Sequence, residues 1–455
     1  MNVVENAIKQ FLAGRIWHRE HIPFLPEEID PLIERGVIQI VQGVTSTSNI
    51  VGQKNYRCHR CHNDRDFTRF ECVRCNGPCA YCRTCLKMGR VSCCTELVVW
   101  AGDPLQFPTS HELYWHSQLT ALQQRAAEQL IASNQQQQSH LLYAVCGSGK
   151  TEVLFQPIFS CLQKGQRVCI AAPRVDVILE LEPRLKQAFP KTTVDALYGR
   201  KKDPLYDAQL ILATTHQLYR FQQAFDVIFV DEADAFPYTA DATLQKAVKK
   251  AAKQYAPIHF VTATPTRKQI LQAKKNATIS MIPKRYHGHP LPEPEFQTLW
   301  HYHANIQKGK LPKKLRVWVQ QCLDEEKPFL LFFHDISLMK MTLPLAQQLD
   351  QRIAAVHSAD ENRKQSVLQL RAGTLRGLLT TTILERGVTI PNVQVAVVGA
   401  EQSLFTVGGL IQIGGRVGRA KTSPDGRFTL FHHGVTTSMI EARAEIKRLN
   451  KRGGF

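Results

Sequence analysis

Residues 144–151, Ala144-Val-Cys-Gly-Ser-Gly-Lys-Thr151, decide the fold that this chain is predicted to adopt. The apolar run 141–145 predicts a buried strand before them, and helix-like sequence follows from Thr151. A strand, a glycine-containing loop and a helix in this order place backbone N–H groups and a helix N-terminus where phosphate anions bind. The stretch therefore predicts a phosphate loop, with Lys150 at the β- and γ-phosphates and the Thr151 hydroxyl on Mg²⁺.

An ordinary turn into a helix is the alternative interpretation of this loop, and a second segment decides against it. Residues 225–234, Phe-Asp-Val-Ile-Phe-Val-Asp-Glu-Ala-Asp, carry Asp231 at the end of an apolar run. A carboxylate there can bind Mg²⁺ directly or through water. Glu232 beside it can orient or deprotonate the attacking water. The two segments together predict a nucleoside triphosphatase.

The first glycine of the common phosphate-loop pattern is replaced here by Ala144. Helicase-type ATPases often carry A-x-x-G-x-G-K-[ST], so the departure narrows the class of enzyme. The predicted nucleotide-binding residues of the loop are Ala144, Gly147, Ser148, Gly149, Lys150 and Thr151.

Composition sets outer limits on the function. The chain has 455 residues, enough for about three domains. No run of about twenty apolar residues predicts a membrane-spanning helix, and the N-terminus lacks the features of a signal peptide, so we expect an intracellular protein. Lys and Arg exceed Asp and Glu by 57 − 39 = 18. That excess favours a polyanionic partner, either nucleic acid or an anionic membrane face, with general basic solubility as the alternative.

Apolar runs alternate with amphipathic stretches from residue 141 to 282 and again from 329 to 398. This alternation is typical of βαβ units and parallel sheets. We therefore predict two α/β domains, with boundaries as follows: an N-terminal region 1–55, a cysteine module 56–115, a first α/β domain 116–285 and a second 286–455.

The second α/β domain carries two arginines that suit an ATP site, Arg416 and Arg419, in Gln412-Ile-Gly-Gly-Arg-Val-Gly-Arg419. On a helix they would share a face, and one aimed at the γ-phosphate would stabilise the charge of the transition state. Solvated arginines at a helix end are the alternative, but the glycine pair suggests close packing at a helix start. Upstream, residues 380–391 follow a strand, where the Gly387 backbone could contact ATP or a nucleic-acid phosphate.

These segments together resemble superfamily 2 helicases over residues 119–420. Residues 144–151 look like motif I, 231–234 like motif II, 262–264 like motif III and 412–419 like motif VI. Residues 172–174 and 214–216 resemble motifs Ia and Ib, which contact the nucleic-acid backbone in that family. The resemblance implies RecA-like domains and an adenine contact from Gln123. The predicted fold class is thus α/β, with two RecA-like parallel-sheet domains and an N-terminal zinc module of the four-cysteine type.

Four segments are similar to the ComFA family, the late-competence ATPases of naturally transformable Gram-positive bacteria: residues 231–238, 380–391, 416–419 and 82–91. This resemblance implies an ATPase stimulated by single-stranded DNA, with ATP and Mg²⁺, that pulls transforming DNA inward from the cytoplasmic face of the membrane. Implied partners are a ComFC-like phosphoribosyltransferase-like protein, an ssDNA-loading protein and the uptake channel. Oligomerisation stays open. A weaker resemblance to PriA and RecG leaves a duplex-unwinding helicase as one alternative, and a zinc-dependent adaptor with a regulatory ATPase is another.

Nine of the thirteen cysteines lie between Cys58 and Cys94, including three Cys-x-x-Cys pairs. Such clustering in a reducing compartment indicates metal rather than disulfides. One tetrahedral Zn²⁺ needs two pairs, and the spacing leaves the pairing open. The ComFA resemblance implies one Zn²⁺ on Cys58, Cys61, Cys82 and Cys85. A second Zn²⁺ is predicted on Cys72 and Cys75, completed by Cys79, Cys93 or Cys94.

Basic and aromatic residues are interspersed among these cysteines. Together they suit single-stranded DNA, whose bases stack on rings and whose phosphates pair with cations; the alternative is that the rings form the small core of the module. The residues are Arg57, Arg60, Arg65, Arg69, Arg74, Arg83, Lys87 and Arg90, with Tyr56, Phe67, Phe70 and Tyr81.

Overall fold

The structure, a computed structural model, describes residues 3–48, 54–199, 207–276, 278–360, 362–386 and 389–455. The chain clusters into two compact units. The first comprises Met1–Leu142, Thr151–Thr262 and Arg267–Ser280, and the second comprises Tyr143–Lys150, Ala263–Thr266 and Met281–Phe455. Among the described residues, no helix has both the length and the apolar character that crossing a bilayer requires.

The N-terminal part of the first unit is built from short antiparallel strands. Strands β1, β7 and β2 form one sheet in that order, and β3–β4 and β5–β6 are two hairpins. Strands on both sides of residue 55 pair with each other, so the predicted N-terminal region and cysteine module fold together. The elements are α1 Val3–Leu12, β1 Ile16–His18, α2 Pro26–Glu34, β2 Ile38–Gln42, β3 Val44–Ser48, β4 Lys54–Cys58, β5 Phe67–Cys72, β6 Gly77–Cys82 and β7 Glu96–Trp100.

A seven-stranded sheet follows, in the order β10-β11-β9-β12-β13-β8-β14. The pairs from β10 to β13 are parallel, and β8, β9, β11 and β12 are buried along their whole length, as expected for a sheet covered on both faces. The elements are α3 Ala121–Gln135, β8 His140–Ala144, α4 Lys150–Leu162, β9 Val168–Ala172, α5 Val175–Ala188, β10 Val194–Leu197, β11 Leu210–Thr214, β12 Val227–Asp231, α6 Ala242–Ala251, β13 Ile258–Thr262, α7 Arg267–Asn276 and β14 Thr278–Ile282.

The second unit contains a six-stranded parallel sheet in the order β15-β20-β19-β16-β18-β17. The predicted α/β class with two parallel sheets is therefore confirmed. The elements are β15 Glu295–Thr298, α8 Tyr302–Gln307, α9 Lys313–Asp324, β16 Phe329–Phe333, α10 Ile336–Gln347, β17 Ile353–Val356, α11 Arg363–Arg371, β18 Gly377–Thr380, β19 Gln394–Val398, α12 Val407–Gly414, β20 Phe428–His432 and α13 Thr437–Arg452.

The cysteine module and the first parallel sheet share one hydrophobic core. Cys58, Cys85 and Val91 of the module belong to the same buried cluster as Phe225 and Val248 of the sheet domain. Burying apolar surface on both sides stabilises the contact by about 25 cal/mol per Å². The module is therefore part of the packed body of the first unit.

Candidate nucleotide site and cysteine clusters

The phosphate loop connects β8 to α4, as predicted. Gly147 and Gly149 adopt positive φ angles of 78° and 73°, which L-residues with side chains rarely adopt. Ser148 between them is 1% exposed, and Ala144 at the end of β8 is fully buried. Alternating backbone conformations of this kind turn successive N–H groups toward one point and form an anion-binding nest. Lys150 is the first residue of α4, so the nest and the helix N-terminus favour the same negative charge.

The acidic segment lies at the end of β12, where Asp231 is the last residue of the strand. Its Oδ1 accepts a hydrogen bond of 2.8 Å from the Glu232 backbone N–H, and Glu232 has a positive φ of 51°. The Thr262 hydroxyl donates to Asp234 Oδ1 at 2.6 Å, which joins the segments that resemble motifs II and III. In the sheet order, β13 alone separates β12 from β8.

Two residues that were predicted to contact Mg²⁺ or the nucleotide form hydrogen bonds with other residues of the protein. The Thr151 hydroxyl accepts a hydrogen bond of 3.3 Å from Arg184 Nη1, and Arg184 also pairs with Glu152. Gln123 Oε1 accepts from the Thr120 backbone N–H at 2.8 Å, which closes a capping box at the start of α3. The Thr-x-x-Gln spacing carries that signal in the sequence. The adenine contact of Gln123 and the Mg²⁺ contact of Thr151 stay predictions.

The two predicted arginines follow a helix end, and the expectation that they share a helical face is wrong. Helix α12 ends at Gly414, and we call residues 415–419 the arginine turn. A Cβ at Gly414 would lie 2.5 Å from the Phe428 ring, and one at Gly415 would lie 2.4 Å from Cys146 Cβ. The glycine pair thus permits close packing at the end of a helix, rather than at its start.

Contacts with other loops hold the arginine turn in place. Arg416 Nε donates to the Glu385 carbonyl at 3.1 Å, and Arg419 Nη1 donates to the Thr389 hydroxyl at 2.8 Å. Cys146 of the phosphate loop donates its thiol hydrogen to Gln412 Oε1 at 3.0 Å. The segment that resembles motif VI and this part of the phosphate loop therefore contact each other within the second unit. Gly387, a predicted nucleotide contact, lies outside the described residues.

Four buried cysteines form the inner cluster: Cys58, Cys61, Cys82 and Cys85. Their Sγ atoms all lie within 4.8 Å of one another, and the four residues are 0% exposed. The Cys58–Cys85 and Cys61–Cys82 sulfur separations are 3.8 and 3.4 Å, too long for disulfides. A tetrahedron with Zn–S bonds of about 2.3 Å has S···S edges of about 3.8 Å. The geometry therefore suits one four-coordinate Zn²⁺ with no open position.

The pKa values of the thiols in the inner cluster also favour a metal site. Hydrogen bonding to Cys58 raises the pKa of the Cys61 thiol, whereas hydrogen bonds from Cys58 and Cys61 lower the pKa of Cys82. Thiols this close cannot all ionise unless a cation takes the place of the shared protons. A divalent metal would supply that charge.

Two side chains that the sequence did not predict to contact the cysteines support this cluster. Arg60, predicted as part of a basic surface, is buried, and its Nε donates to Cys85 Sγ at 3.4 Å. Asn63 Nδ2 donates to Cys82 Sγ at 3.4 Å. Donors to sulfur stabilise thiolates and orient metal ligands. Arg60 thus supports the inner cluster and is too buried to contact DNA, and its position inside the first Cys-x-x-Cys pair was the one signal for this role.

A second set of cysteines forms the outer cluster: Cys72, Cys75, Cys79 and Cys94. Their Sγ atoms also lie within 4.8 Å of one another, and Cys75 is exposed. The backbone N–H of Cys75 lowers the pKa of Cys72 to about 7. Cys93, one of three candidates for completing this set, instead directs its thiol to the Ala80 carbonyl at 3.5 Å. The predicted Cys72–Cys75 pair thus lies in one cluster with the other two candidates, Cys79 and Cys94.

Aromatic rings of the module pack in pairs beneath exposed arginines. The Arg69 guanidinium lies 5.5 Å from the Tyr56 ring centroid, and that of Arg90 lies 5.4 Å from Phe70. The Tyr56 and Phe67 rings are half-buried, lie 5.5 Å apart and pack against the shared core. The rings therefore contribute to the core on one side while guanidinium groups cover the other.

Two lysines of α6 attach the module to the first sheet domain. Lys250 is 8% exposed, and its ammonium donates to the carbonyls of Arg60 and Tyr219, the latter at 2.8 Å. Lys246, one turn earlier, pairs with Asp64 at 2.9 Å at the surface. The inner cluster is thereby held directly against α6.

Comparison with protein families finds matches along most of the chain. The model of the family "Competence protein ComFA N-terminal domain" matches residues 2–99. "Type III restriction enzyme, res subunit" matches residues 116–267, and "Helicase conserved C-terminal domain" matches residues 309–421.

Curated relatives of similar length extend this result. The chain is 41% identical to competence protein ComFA of Bacillus subtilis (strain 168), over 98% of this chain and 95% of the relative. It is 37% identical to competence protein ComFA of Streptococcus pneumoniae (strain ATCC BAA-255 / R6), over 84% of this chain and 91% of the relative. Among solved structures, S. cerevisiae Dbp5 bound to RNA and ADP BeF3 matches with a TM-score of 0.53 and 14% identity, over 73% of this chain and 91% of that chain. This last likeness shows the helicase-type fold alone.

Proposed function

Because this chain belongs to the ComFA family of competence proteins and has a helicase-type ATPase fold, we propose that it is an ATP-driven motor on single-stranded DNA. Its task is to draw transforming DNA into the cytoplasm during natural competence. The substrate class is thus a nucleoside triphosphate with Mg²⁺, and the load is a single DNA strand.

The observation that carries this proposal is the contact between the phosphate loop and the arginine turn. Gly415 of the arginine turn packs against Cys146 of the phosphate loop, and Gln412 in the preceding helix α12 accepts the thiol hydrogen of Cys146. An element that touches the phosphate loop directly can sense whether a nucleotide is bound there. ATP binding and hydrolysis would then change this contact within the second unit.

The roles of individual residues follow from their chemistry. Lys150 and the backbone N–H groups of Gly147 to Gly149 hold the phosphates, and Thr151 with Asp231 holds Mg²⁺. For Thr151 this requires that Arg184 release the hydroxyl. Glu232 orients the attacking water, and Arg416 and Arg419 stabilise charge on the transferred phosphoryl group.

Zinc would bind at both cysteine clusters. The inner cluster supplies four thiolates, buried and saturated, so the metal there is structural. The outer cluster supplies four thiolates of which one is exposed, so we expect its metal to exchange more readily. Zinc at either cluster would cross-link strands that are short and weakly paired by themselves, since isolated hairpins are marginally stable.

Exposed arginines beside half-buried rings favour single-stranded DNA as the partner of the cysteine module. Arg57, Arg69 and Arg90 supply the cations, without Arg60. By family resemblance we also propose competence proteins as partners, among them a ComFC-like protein, an ssDNA-loading protein and the uptake channel. Contact with that channel would place the protein at the inner face of the membrane.

The test of the enzymatic proposal is the ATPase rate of the purified protein with and without single-stranded DNA. The ATPase rate is expected to rise when single-stranded DNA is added. In Lys150→Ala the rate is expected to fall close to zero, because the phosphates lose the ammonium group that neutralises them. Lys284→Ala is the matched control for loss of one lysine. An unchanged rate in Lys150→Ala would exclude the assigned site.

A second assay separates a motor from a zinc-dependent adaptor with a regulatory ATPase. The protein is loaded on single-stranded DNA that carries a bound protein roadblock, and displacement is followed after ATP is added. A motor that moves in one direction displaces a roadblock bound near one end of the strand and leaves a roadblock near the other end in place. DNA-stimulated hydrolysis without directional displacement would favour the adaptor, and separation of a flanking duplex would favour an unwinding helicase.

A further inference from the structure

Hydrogen bonds attach the segment between β14 and β15 to two loops of the second unit. The Val145 N–H donates to the Ile282 carbonyl at 3.1 Å, and the Tyr286 N–H donates to the Gly147 carbonyl at 3.0 Å. His287 Nε2 lies 3.0 Å from the Gly418 carbonyl. This segment is thus bound on one side to the phosphate loop and on the other to the arginine turn.

Arg285 lies at the centre of this segment and is 2% exposed. Its Nη1 donates to the Gly418 carbonyl at 2.7 Å. Within the part of the chain that the structure describes, Nε and Nη2 have no hydrogen-bond partner. A buried donor without a partner costs about 1–3 kcal/mol, and more when it is charged. A guanidinium in this state is expected to have an anionic partner at some stage of the working cycle.

The charge on Arg285 persists despite its burial. Burial lowers its pKa to about 10, Cys146 opposes that effect, and the nearby Arg419 adds to it. At neutral pH the group therefore stays protonated. No carboxylate among the described residues pairs with it, so these residues leave its charge uncompensated.

The position of this charge points to the phosphate loop. A Cβ built on Gly147 would lie 3.7 Å from Arg285 Cγ and 3.8 Å from Arg419 Cγ. Both arginine stems thus pass the loop whose backbone forms the anion nest. An anion bound in that nest is the partner that the free donors of Arg285 can reach with the least rearrangement.

We propose that Arg285 is a phosphate ligand of the bound nucleotide, supplied by the connecting segment and additional to Arg416 and Arg419. Because Arg285 also holds the Gly418 carbonyl, it links occupancy of the phosphate loop to the position of the arginine turn. This inference rests on the proposed nucleotide site. It assigns to the segment between β14 and β15 a role in nucleotide binding.

The test is binding of Mg²⁺·AMP-PNP and of AMP to the full-length Arg285→Met protein. Methionine keeps the length of the side chain and removes the charge. AMP-PNP is expected to bind at least about tenfold more weakly, whereas AMP, which lacks the β- and γ-phosphates, binds as to the wild type. Lys284→Met, which removes the neighbouring charge, is expected to change neither affinity by more than about twofold.

Thermal unfolding without nucleotide distinguishes a ligand from a merely structural arginine. Arg285→Met is expected to unfold at the wild-type temperature or above it, since the uncompensated buried charge is gone, and to lose the stabilisation that AMP-PNP confers. A lower unfolding temperature with wild-type affinity for AMP-PNP would overturn the inference. If Arg285→Met does not fold, Arg285→Lys keeps the charge but loses the planar fork, and wild-type affinity in that variant would also overturn it.

Failure of the nucleotide site itself gives a different result. If the wild type does not bind AMP-PNP, or Lys150→Ala binds it equally well, the proposed site is wrong and the role of Arg285 falls with it. If the wild type binds, Lys150→Ala does not, and Arg285→Met behaves as the wild type, only the role of Arg285 is wrong.

Discussion

Lys250→Met is expected to loosen the attachment of the cysteine module to the first parallel sheet. The Lys250 ammonium lies between the Arg60 carbonyl, inside the first Cys-x-x-Cys pair, and the Tyr219 carbonyl, in the turn after β11. Methionine fills the same volume without donating to either carbonyl. The substitution therefore removes the polar link and leaves the apolar packing in place.

The magnitude follows from burial. Two carbonyls that lose a buried donor cost about 1–3 kcal/mol each. Part of this is returned, because burial of the ammonium is itself unfavourable, as the lowering of the Lys250 pKa to about 7 indicates. We expect a net loss of about 2–4 kcal/mol, or roughly 5–15 °C in the unfolding temperature of the first unit.

Lys246→Met is the matched control, since Lys246 lies one turn earlier on the same helix and binds the same module. Its pair with Asp64 has side chains 39% and 55% exposed, and such pairs contribute less than about 1 kcal/mol. Calorimetry of the zinc-loaded full-length protein measures both variants. Equal losses, or a loss below about 1 kcal/mol for Lys250→Met, would refute the argument from burial.

Three further predictions concern metal, pH and packing. A chelator is expected to remove zinc in two phases, the outer cluster first because Cys75 is exposed whereas the inner sulfurs are buried; a single phase, or one zinc per chain, would contradict this. Burial lowers the pKa of His140 and His259 in the folded state to about 4 and about 3, so the unfolded state binds more protons below about pH 6.5 and stability falls as the pH falls. Each histidine should lower the free energy of unfolding by about 3 kcal/mol at pH 4. Urea titrations between pH 7 and pH 4 measure the sum of the two contributions. His140→Gln should make the free energy of unfolding depend less steeply on pH, and an unchanged dependence in that variant would contradict the assignment. Gly415→Ala places a Cβ 2.4 Å from Cys146 Cβ and should destabilise by about 1–3 kcal/mol, whereas Gly434→Ala, with open space around it, should not; equal unfolding temperatures for the two variants would show that the loops can move apart without cost.

The local motifs lie where residue patterns predicted them. The apolar run before the phosphate loop is the strand β8, Asp231 ends a buried strand, and the glycines of the loop adopt the positive φ angles that explain their presence. These features depend on neighbours in sequence, on strand periodicity and on the conformational freedom of glycine. Such signals can be recognised in a single chain.

Arg416 and Arg60 show where this reasoning fails. A spacing of three residues suggested that Arg416 and Arg419 share a helical face, but the helix ends at Gly414, where close contacts with Phe428 and Cys146 require glycine. Arg60 was counted with a basic surface, but it donates to the sulfur of Cys85 inside the core. Both errors concern contacts between segments far apart in the chain, for which local patterns carry no information.

By itself the sequence determined the α/β class, the order of the motifs and the kind of chemistry, because these depend on residue types at short spacing. Only the tertiary structure decided which cysteines complete the outer cluster, and that the module packs on α6. It also decided that Arg285 is buried beside the phosphate loop, with donors left over. Which groups a side chain contacts depends on distances that are set when the chain folds. The sequence does not show whether a charged side chain faces water or a buried loop.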